Sequence, residues 1–354
     1  MNSETLRRAW GDAATQALDA FPIDPAGVDL VAVSENVTFR VHDGAGRGDF
    51  VLRLHRPGYN SLAELESERR WTEFLADSGV AAPTGIAAGD GRRFVRVQIP
   101  GTREQRYVGI TRWMHGQPLD AVLQAAPGAG GLRDAYHRIG CIAARMHTIA
   151  ADWSPPAGFT RPRLDGAGLL GETPRWGRFW DYSGLTDPAR RHLRALRGEL
   201  AEDLEAYGCT EDNFGLIHAD LHAENIIMGE ERDPGVIDFD DLAWGWYVYD
   251  LATALLDHWG EADYATLRDA LLRGYCAERP LAERDIAMLD RLVLLRALTL
   301  VGWYSERPEH GGQDYFQRVC ELILSQSLRD RKGRDSAPWR SEERRVGKEC
   351  ATGC

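Results

Sequence analysis

At 354 residues the chain has the length of two domains or lobes, enough to bury about three quarters of its unfolded surface. A composition that is 44% hydrophobic and 27% charged is that of an ordinary soluble protein, and a net charge of −12 argues against nucleic acid or an anionic membrane surface as partner. The longest apolar run, Leu292 to Trp303, is broken by Arg296, the N-terminus lacks an apolar signal core, and the six cysteines show no C-x-x-C spacing, so a cytoplasmic protein without a membrane span or zinc site is expected.

In chain order, Val28–Val33, Thr38–His42 and Phe50–His55 read as short strands, with Gly44, Gly46 and Gly48 marking the turn before the third. The first two are joined by S-E-N-V-T, Ser34 to Thr38, which serves either as a plain polar β-turn or as a phosphate-contacting turn through Ser34, Asn36 and backbone N–H groups. Ser61 to Ala76 reads as a helix with Ser61 as N-cap, its apolar face carrying Leu62, Leu65, Trp71 and Leu75. Glu68 falls inside that face. A carboxylate there needs a cation, and Arg53 on the third strand is the natural partner. Glu64 competes with Glu68 for that pairing, and a carboxylate that snorkels to solvent is the other reading.

Phe94–Ile99 and Tyr107–Trp113 read as two more strands. Beyond it, Tyr136, Ile139, Ala143, Met146 and Ala150 form a helical core stripe, to which His147 is assigned. The stretch from Asp152 to Asn213 holds W-S-P-P, a Pro/Gly/Trp-rich loop and a charged helix, Pro188 to Tyr207. Its Trp176, Phe179, Trp180, Asp181 and Tyr182 either reach a substrate or pack in the core.

The densest chemistry lies in I-H-A-D-L-H-A-E-N-I-I, Ile217 to Ile227, followed by V-I-D-F-D-D, Val236 to Asp241. Asp220, Asn225 and Asp238 place two carboxylates and an amide in two tight turns. Such oxygen donors suit a hard divalent cation, with phosphates and water filling the other positions. A third oxygen facing an attacking hydroxyl can take or orient its proton. Ile226–Met228 and Val236–Phe239 are expected to form a hairpin, turning through 230–234 between Gly229 and Gly235. Singly, these residues are ordinary: a lone Asp caps a turn, and a lone His such as His218 packs in a core. Together, H-x-D-x-x-x-x-N followed by D-F-D is a kinase pattern. After Trp244, Trp246 and Tyr247, Asp250 reads as the N-cap of a helix over Leu251–Trp259, and further helices are expected near 263–277, 282–303 and 312–329.

This pattern resembles the aminoglycoside phosphotransferase and choline kinase superfamily over roughly residues 25–325, with Ala219 where protein kinases carry Arg. I-D-F-D-D-L-A-W-G-W-Y-V-Y-D-L-A looks most like the branch of type II homoserine kinases, hydroxylysine kinases and stress-response kinase A. The resemblance implies an α+β, bilobal protein-kinase-like fold, with a small antiparallel β N-lobe carrying one helix (1–115), a larger mostly helical C-lobe (116–339), and a foreign tail (340–354). It implies Asp220 as catalytic base, Asn225 and Asp238 as Mg²⁺ ligands, His218 as a scaffold of the loop and Asp250 as its brace. Arg53 stands where the family usually has Lys, and is expected to grip ATP phosphates while Glu68 holds it; guanidinium and ammonium are not interchangeable there. Trp113-Met114-His115-Gly116 is expected to be the adenine-binding hinge, with Ile110 and Trp113 framing the pocket, and Asp240, Asp241, Trp180 and Trp246 are candidates for the acceptor pocket.

Three functions follow. The first is transfer of the γ-phosphate of ATP to a small hydroxylated acceptor, homoserine-like amino alcohols before aminoglycosides. The second is a protein Ser/Thr kinase of the stress-response type, and the third a nucleotide-binding regulator without catalysis, motivated by Arg53. Acceptor identity and oligomeric state are not legible. The tail R-S-E-E-R-R-V-G-K-E-C, Arg340 to Cys350, is similar to translated sequencing-adapter DNA, so an altered natural ending is expected; a natural charged tail is the alternative, and disorder is expected of either.

Overall fold

The structure is a computed structural model and describes residues 3–34, 36–125, 128–229, 234–307, 317 and 321–323. Residues 230–233 of the turn expected at 230–234, most of the helix near 312–329 and the tail from 340 lie outside the described residues. In chain order the elements are α1 (Ser3–Leu18), β1 (Pro25–Val33), β2 (Val37–Asp43), β3 (Phe50–Leu54), α2 (Leu62–Asp77), β4 (Gly85–Ile86), β5 (Phe94–Gln98), β6 (Gln105–Arg112), β7 (Gln117–Pro118) and α3 (Leu119–Ala125). There follow α4 (Ala129–Asp152), β8 (Arg163–Leu164), α5 (Gly166–Leu170), α6 (Asp187–Tyr207), β9 (Phe214–Ile217), β10 (Ile226–Met228), β11 (Gly235–Val236), β12 (Ala243–Trp246), α7 (Tyr247–Leu255), α8 (Tyr264–Glu278) and α9 (Glu283–Glu306). Among the described residues no helix is long and apolar enough to cross a membrane.

The chain divides into two compact units, each discontinuous in sequence: 1–122 with 153–161 and 224–241, and 123–152 with 162–223 and 242–354. The first holds an antiparallel sheet in the order β1-β2-β3-β6, with β4 and β5 both pairing to β6. Strict alternation buries Val37, Phe39 and Val41 of β2 and Phe50, Leu52 and Leu54 of β3. Their core is completed by Ala13, Ala14, Ala17 and Leu18 of α1. This helix is an addition to the single helix expected: small residues on one face let it lie close to the sheet. Ser61 caps α2 in a reciprocal capping box with Glu64, which commits Glu64 to the cap and removes it as a partner for Arg53.

The second unit is mostly helical. α4 and α8 touch backbone to backbone at Gly140 and Gly274, where an added Cβ would lie 2.1 Å from Leu271 O and 1.9 Å from His137 O. Tyr136, Ile139, Ala143, Met146 and Ala150 are all buried, as their helical spacing requires. A small sheet, β8-β12-β9, pairs β12 antiparallel to β9 and parallel to β8. β9 runs directly into His218 and β12 directly into α7, so this sheet sets where the H-A-D segment begins and where Asp250 stands.

Candidate active site

In the first unit, β10 and β11 pair Ile226 with Val236, and Ile237 N–H donates to Asn225 O at 2.9 Å. Asn225 and Asp238 therefore leave the same end of one hairpin, as the alternation of short apolar runs suggested. Two glycines seat that hairpin against 113–118: a Cβ on Gly116 (φ 140°) would fall 2.5 Å from Met228 O, and one on Gly235 would fall 2.4 Å from Met114 Cε. Asp238 itself adopts a left-handed backbone, φ 64°, a conformation that costs an L-residue roughly 1–2 kcal/mol.

Arg53 Nη1 donates to Asp238 Oδ1 at 3.1 Å and to Asp240 Oδ1 at 3.0 Å. Burial works against the guanidinium, but Asp238, Asp240 and Glu68 together hold it firmly charged. The expected Arg53–Glu68 clasp is replaced by this pair of carboxylates; Glu68 Oε2 is buried without a hydrogen-bond partner among the described residues. Its carboxyl is pushed up to about 7, by burial first and by Asp240 next, against the pull of Arg161, Arg53 and Arg69.

Asp240, a candidate for the acceptor pocket, is the hub of this unit's hydrogen bonds. Its carboxylate accepts from Asn36 Nδ2 as well as Arg53, and its carbonyl accepts from Asn60 Nδ2 at 3.0 Å and Arg161 Nη2 at 2.6 Å. Burial would raise its pKa, yet Arg53 and His55 hold it below the usual carboxylate range. Asn36 ties β2's turn to both sides: its Nδ2 donates to Asp240 and its Oδ1 accepts from Arg56 N–H at 3.0 Å. Ser34 is exposed, its N–H donating to Asn36 O at 2.9 Å. Asp241 accepts from the Tyr59 hydroxyl, which draws it toward the first unit's own loop. At the expected hinge, Trp113 N–H donates to Asp49 O at 2.9 Å and its ring lies 4.4 Å under the Arg40 guanidinium. Met114 fills the space that Gly235 leaves.

The second unit holds Asp220. Ala219, just before it, has φ 67°, and with no polar side chain it gains nothing locally from that conformation. Asp250 imposes it. Its two oxygens accept from His218 N–H at 2.9 Å and Ala219 N–H at 2.7 Å. Asp250 lies inside the first turn of α7 and does not cap it, because that helix starts at Tyr247, earlier than its apolar spacing suggested. His147 Nε2 donates to Asp250 at 3.0 Å, and the Tyr275 hydroxyl donates to His147 Nδ1 at 2.9 Å. Burial lowers the His147 pKa and raises that of Tyr275, so a neutral imidazole passes the hydrogen-bond chain on, one nitrogen donating and the other accepting. Asp220 N–H donates in turn to His218 Nδ1 at 3.2 Å, which gives His218 its place as a support of the loop.

Two other candidates are core residues. Trp246, 1% exposed, donates Nε1–H to Gly208 O at 2.8 Å and packs on Tyr207 and Phe214. Trp180 is buried edge-on to Phe179 under the Arg197 guanidinium. Aromatic density, read alone, does not distinguish a pocket wall from packing, and here packing accounts for both. Sequence reasoning missed Arg296 and Arg161. Arg296 of α9 donates to Asp220 Oδ1, and its one signal was a cation in the middle of an otherwise apolar helical run.

Among the described residues no three His, Cys, Asp or Glu side chains form a ready-made metal cage. Asp238, with a side chain 40% exposed, and the Asn225 amide supply two oxygen donors. That set fits a cation such as Mg²⁺, which keeps several waters and is shared with substrate phosphates.

The pattern of the phosphotransferase enzyme family matches residues 30–286, well over half of the chain. A homoserine kinase of Granulibacter bethesdensis is 34% identical over 274 residues, covering 74% of this chain and 76% of that one. A microcompartment-associated aminopropanol kinase is 32% identical, with a TM-score of 0.76 over 89% of this chain and 94% of that one. An amicoumacin kinase solved with AMP-PNP and Ca²⁺, 16% identical, shares the fold at a TM-score of 0.72 over 92% of this chain and 96% of that one. The fold is the protein-kinase-like one, and the chain belongs to the phosphotransferase enzyme family, within the aminoglycoside phosphotransferase and choline kinase superfamily, as a kinase of hydroxyl acceptors.

Proposed function

We propose that this kinase transfers the γ-phosphate of ATP to the hydroxyl of a small amino alcohol or hydroxy amino acid, with Asp220 as base and Asn225 and Asp238 as ligands of Mg²⁺. Two relatives above 30% identity support the acceptor class: homoserine and aminopropanol, the acceptors in their names, both join an amine to a hydroxyl. The observation that carries the reading is the placement of Asn225 and Asp238 at one end of a single hairpin, five residues along the chain from a brace-held Asp220.

In the step, the acceptor oxygen forms a bond to the γ-phosphorus while the bond from phosphorus to the β–γ bridging oxygen breaks, releasing ADP. The hydroxyl proton passes to an Asp220 oxygen and then to water. The cation, when bound, neutralises charge developing on the phosphate oxygens. Arg53 turns from Asp238 toward the phosphates while Asp240 keeps its other contact, which lets an arginine fill a role more often given to lysine. Because the transition state is loose, orientation of the hydroxyl matters more than base strength.

The test is a screen of amino alcohols, hydroxy amino acids, aminoglycosides and a protein substrate, with Mg²⁺-ATP, coupled ADP detection and product mass. We expect phosphorylation of an amino-alcohol-type acceptor, lost by about 10²–10⁴-fold in Asp220→Asn and nearly abolished in Asp238→Asn. Transfer to protein alone, or undiminished transfer by either variant, overturns the reading.

A further inference from the structure

α9 presents Leu292, Val293, Leu294 and Leu295, then Arg296, then Ala297 and Leu298, all buried. A guanidinium in such a surface is costly unless its charge is met. The Arg296 side chain, 7% exposed, meets the Asp220 carboxylate through Nη2 and Oδ1, and its guanidinium carbon lies 5.2 Å from the centre of the buried Trp176 ring. The other carboxylate oxygen, Oδ2, stands 3.3 Å from His222 Nε2. The two oxygens of Asp220 thus face different neighbours: a buried cation locked by packing on one side, and a quarter-exposed histidine on the other.

We infer that Arg296 is a positioning residue for phosphate transfer: it fixes Oδ1 of Asp220 so that Oδ2 alone receives the acceptor hydroxyl. The inference rests on the assignment of Asp220 as the base. Burial acts to raise the Asp220 pKa, and Arg296, His222 and His218 overcome it, holding the group well below the usual carboxylate range. That makes Asp220 a weak base and a well-aimed one, which suits a reaction whose barrier depends on placing the nucleophile. Arg296 exchanges no proton in the step; its contribution is to take one rotational freedom from the carboxylate and keep its charge.

The experiment is steady-state kinetics and thermal melting of the full chain carrying Arg296→Met, Arg296→Lys, Asp220→Asn and the two combinations, with the acceptor found in the screen. We expect Arg296→Met to lower kcat by about 10- to 100-fold, the size of effect seen when a reacting group is misplaced, with the KM for ATP unchanged. Arg296→Lys restores part of kcat. In the Asp220→Asn background either change costs little more, because no base remains to be aimed. A folded Arg296→Met enzyme with wild-type kcat overturns the inference, as does an undiminished further loss in the Asp220→Asn background. If Arg296→Met melts below assay temperature, Arg296→Lys decides alone, and wild-type kcat there is the overturning result. Failure of the underlying reading looks different: the wild type transfers no phosphate, or Asp220→Asn leaves kcat intact.

Discussion

Two buried carboxylates, one in each unit, do different jobs. Asp250, fully buried, accepts two backbone N–H groups and a neutral histidine, and so fixes a backbone conformation that Ala219 would not choose. Asp240, 8% exposed, accepts from the side chains of Asn36 and Arg53, and so fixes a charge. The first network closes on backbone N–H groups and a buried histidine. The second includes Asp238, a partner of Arg53 and the proposed ligand of a cation. On the proposed roles, rigid support goes to the loop of the base, and exchangeable support to the arginine that meets phosphate.

That contrast can be broken in order of expected effect. Asp250→Ala leaves two buried N–H groups and His147 without an acceptor; we expect destabilisation of about 3–5 kcal/mol, read as a large fall in melting temperature. A variant that melts like the wild type would show that the left-handed Ala219 needs no brace. Asp240→Ala removes acceptors from Arg53 and Asn36, with an expected cost of about 1–3 kcal/mol. Its signature is kinetic, a raised KM for ATP beside a modest fall in melting temperature, and an unchanged KM would deny Asp240 its hold on Arg53.

Glu68 sharpens the comparison through pH. Its proton stays bound in the folded state up to about 7, whereas the unfolded chain releases it near 4.5. The stability this group contributes is therefore complete below 4.5 and lost as pH rises through 7. Melting temperatures of wild type and Glu68→Gln are expected to diverge over that window, with the variant gaining on the order of 1–3 kcal/mol relative to wild type between pH 4 and pH 8. A difference that is flat with pH would mean that Glu68 finds a cation after all. The smallest effect belongs to Ala219→Gly, where relief of backbone strain and the added freedom of the unfolded chain offset each other to within about 1 kcal/mol. Both stability and kcat are expected to stay close to wild type, and a large gain in stability would put the strain above that offset.

Much of this was legible in the chain before its structure. The hairpin, expected over 226–228 and 236–239 and found shorter at 226–228 and 235–236, the capped helix at Ser61 and the strands of the first sheet announce themselves through turn residues, caps and alternation, all of them local signals. The H-x-D-x-x-x-x-N spacing is local too, since the loop that uses it is short. What failed was judgement of partners. Glu68 looked committed to Arg53 because a buried carboxylate needs a cation, yet Asp238 and Asp240, distant in sequence, reach Arg53 instead. Trp180 and Trp246 looked like pocket walls, and Asp250 looked like a cap, because neither burial nor the start of a helix can be read from composition alone.

The amino-acid sequence by itself determined most of the first sheet's strands, the family and the oxygen-bearing residues, because each depends on spacings within a few turns of chain. Only the tertiary structure decided which charge answers which: Arg296 with Asp220, Asp240 with Arg53 and Asn36, Asp250 with the backbone at 218–219. The reason is physical. A buried charge takes whichever opposite group packing brings within reach, and packing is settled by the whole chain.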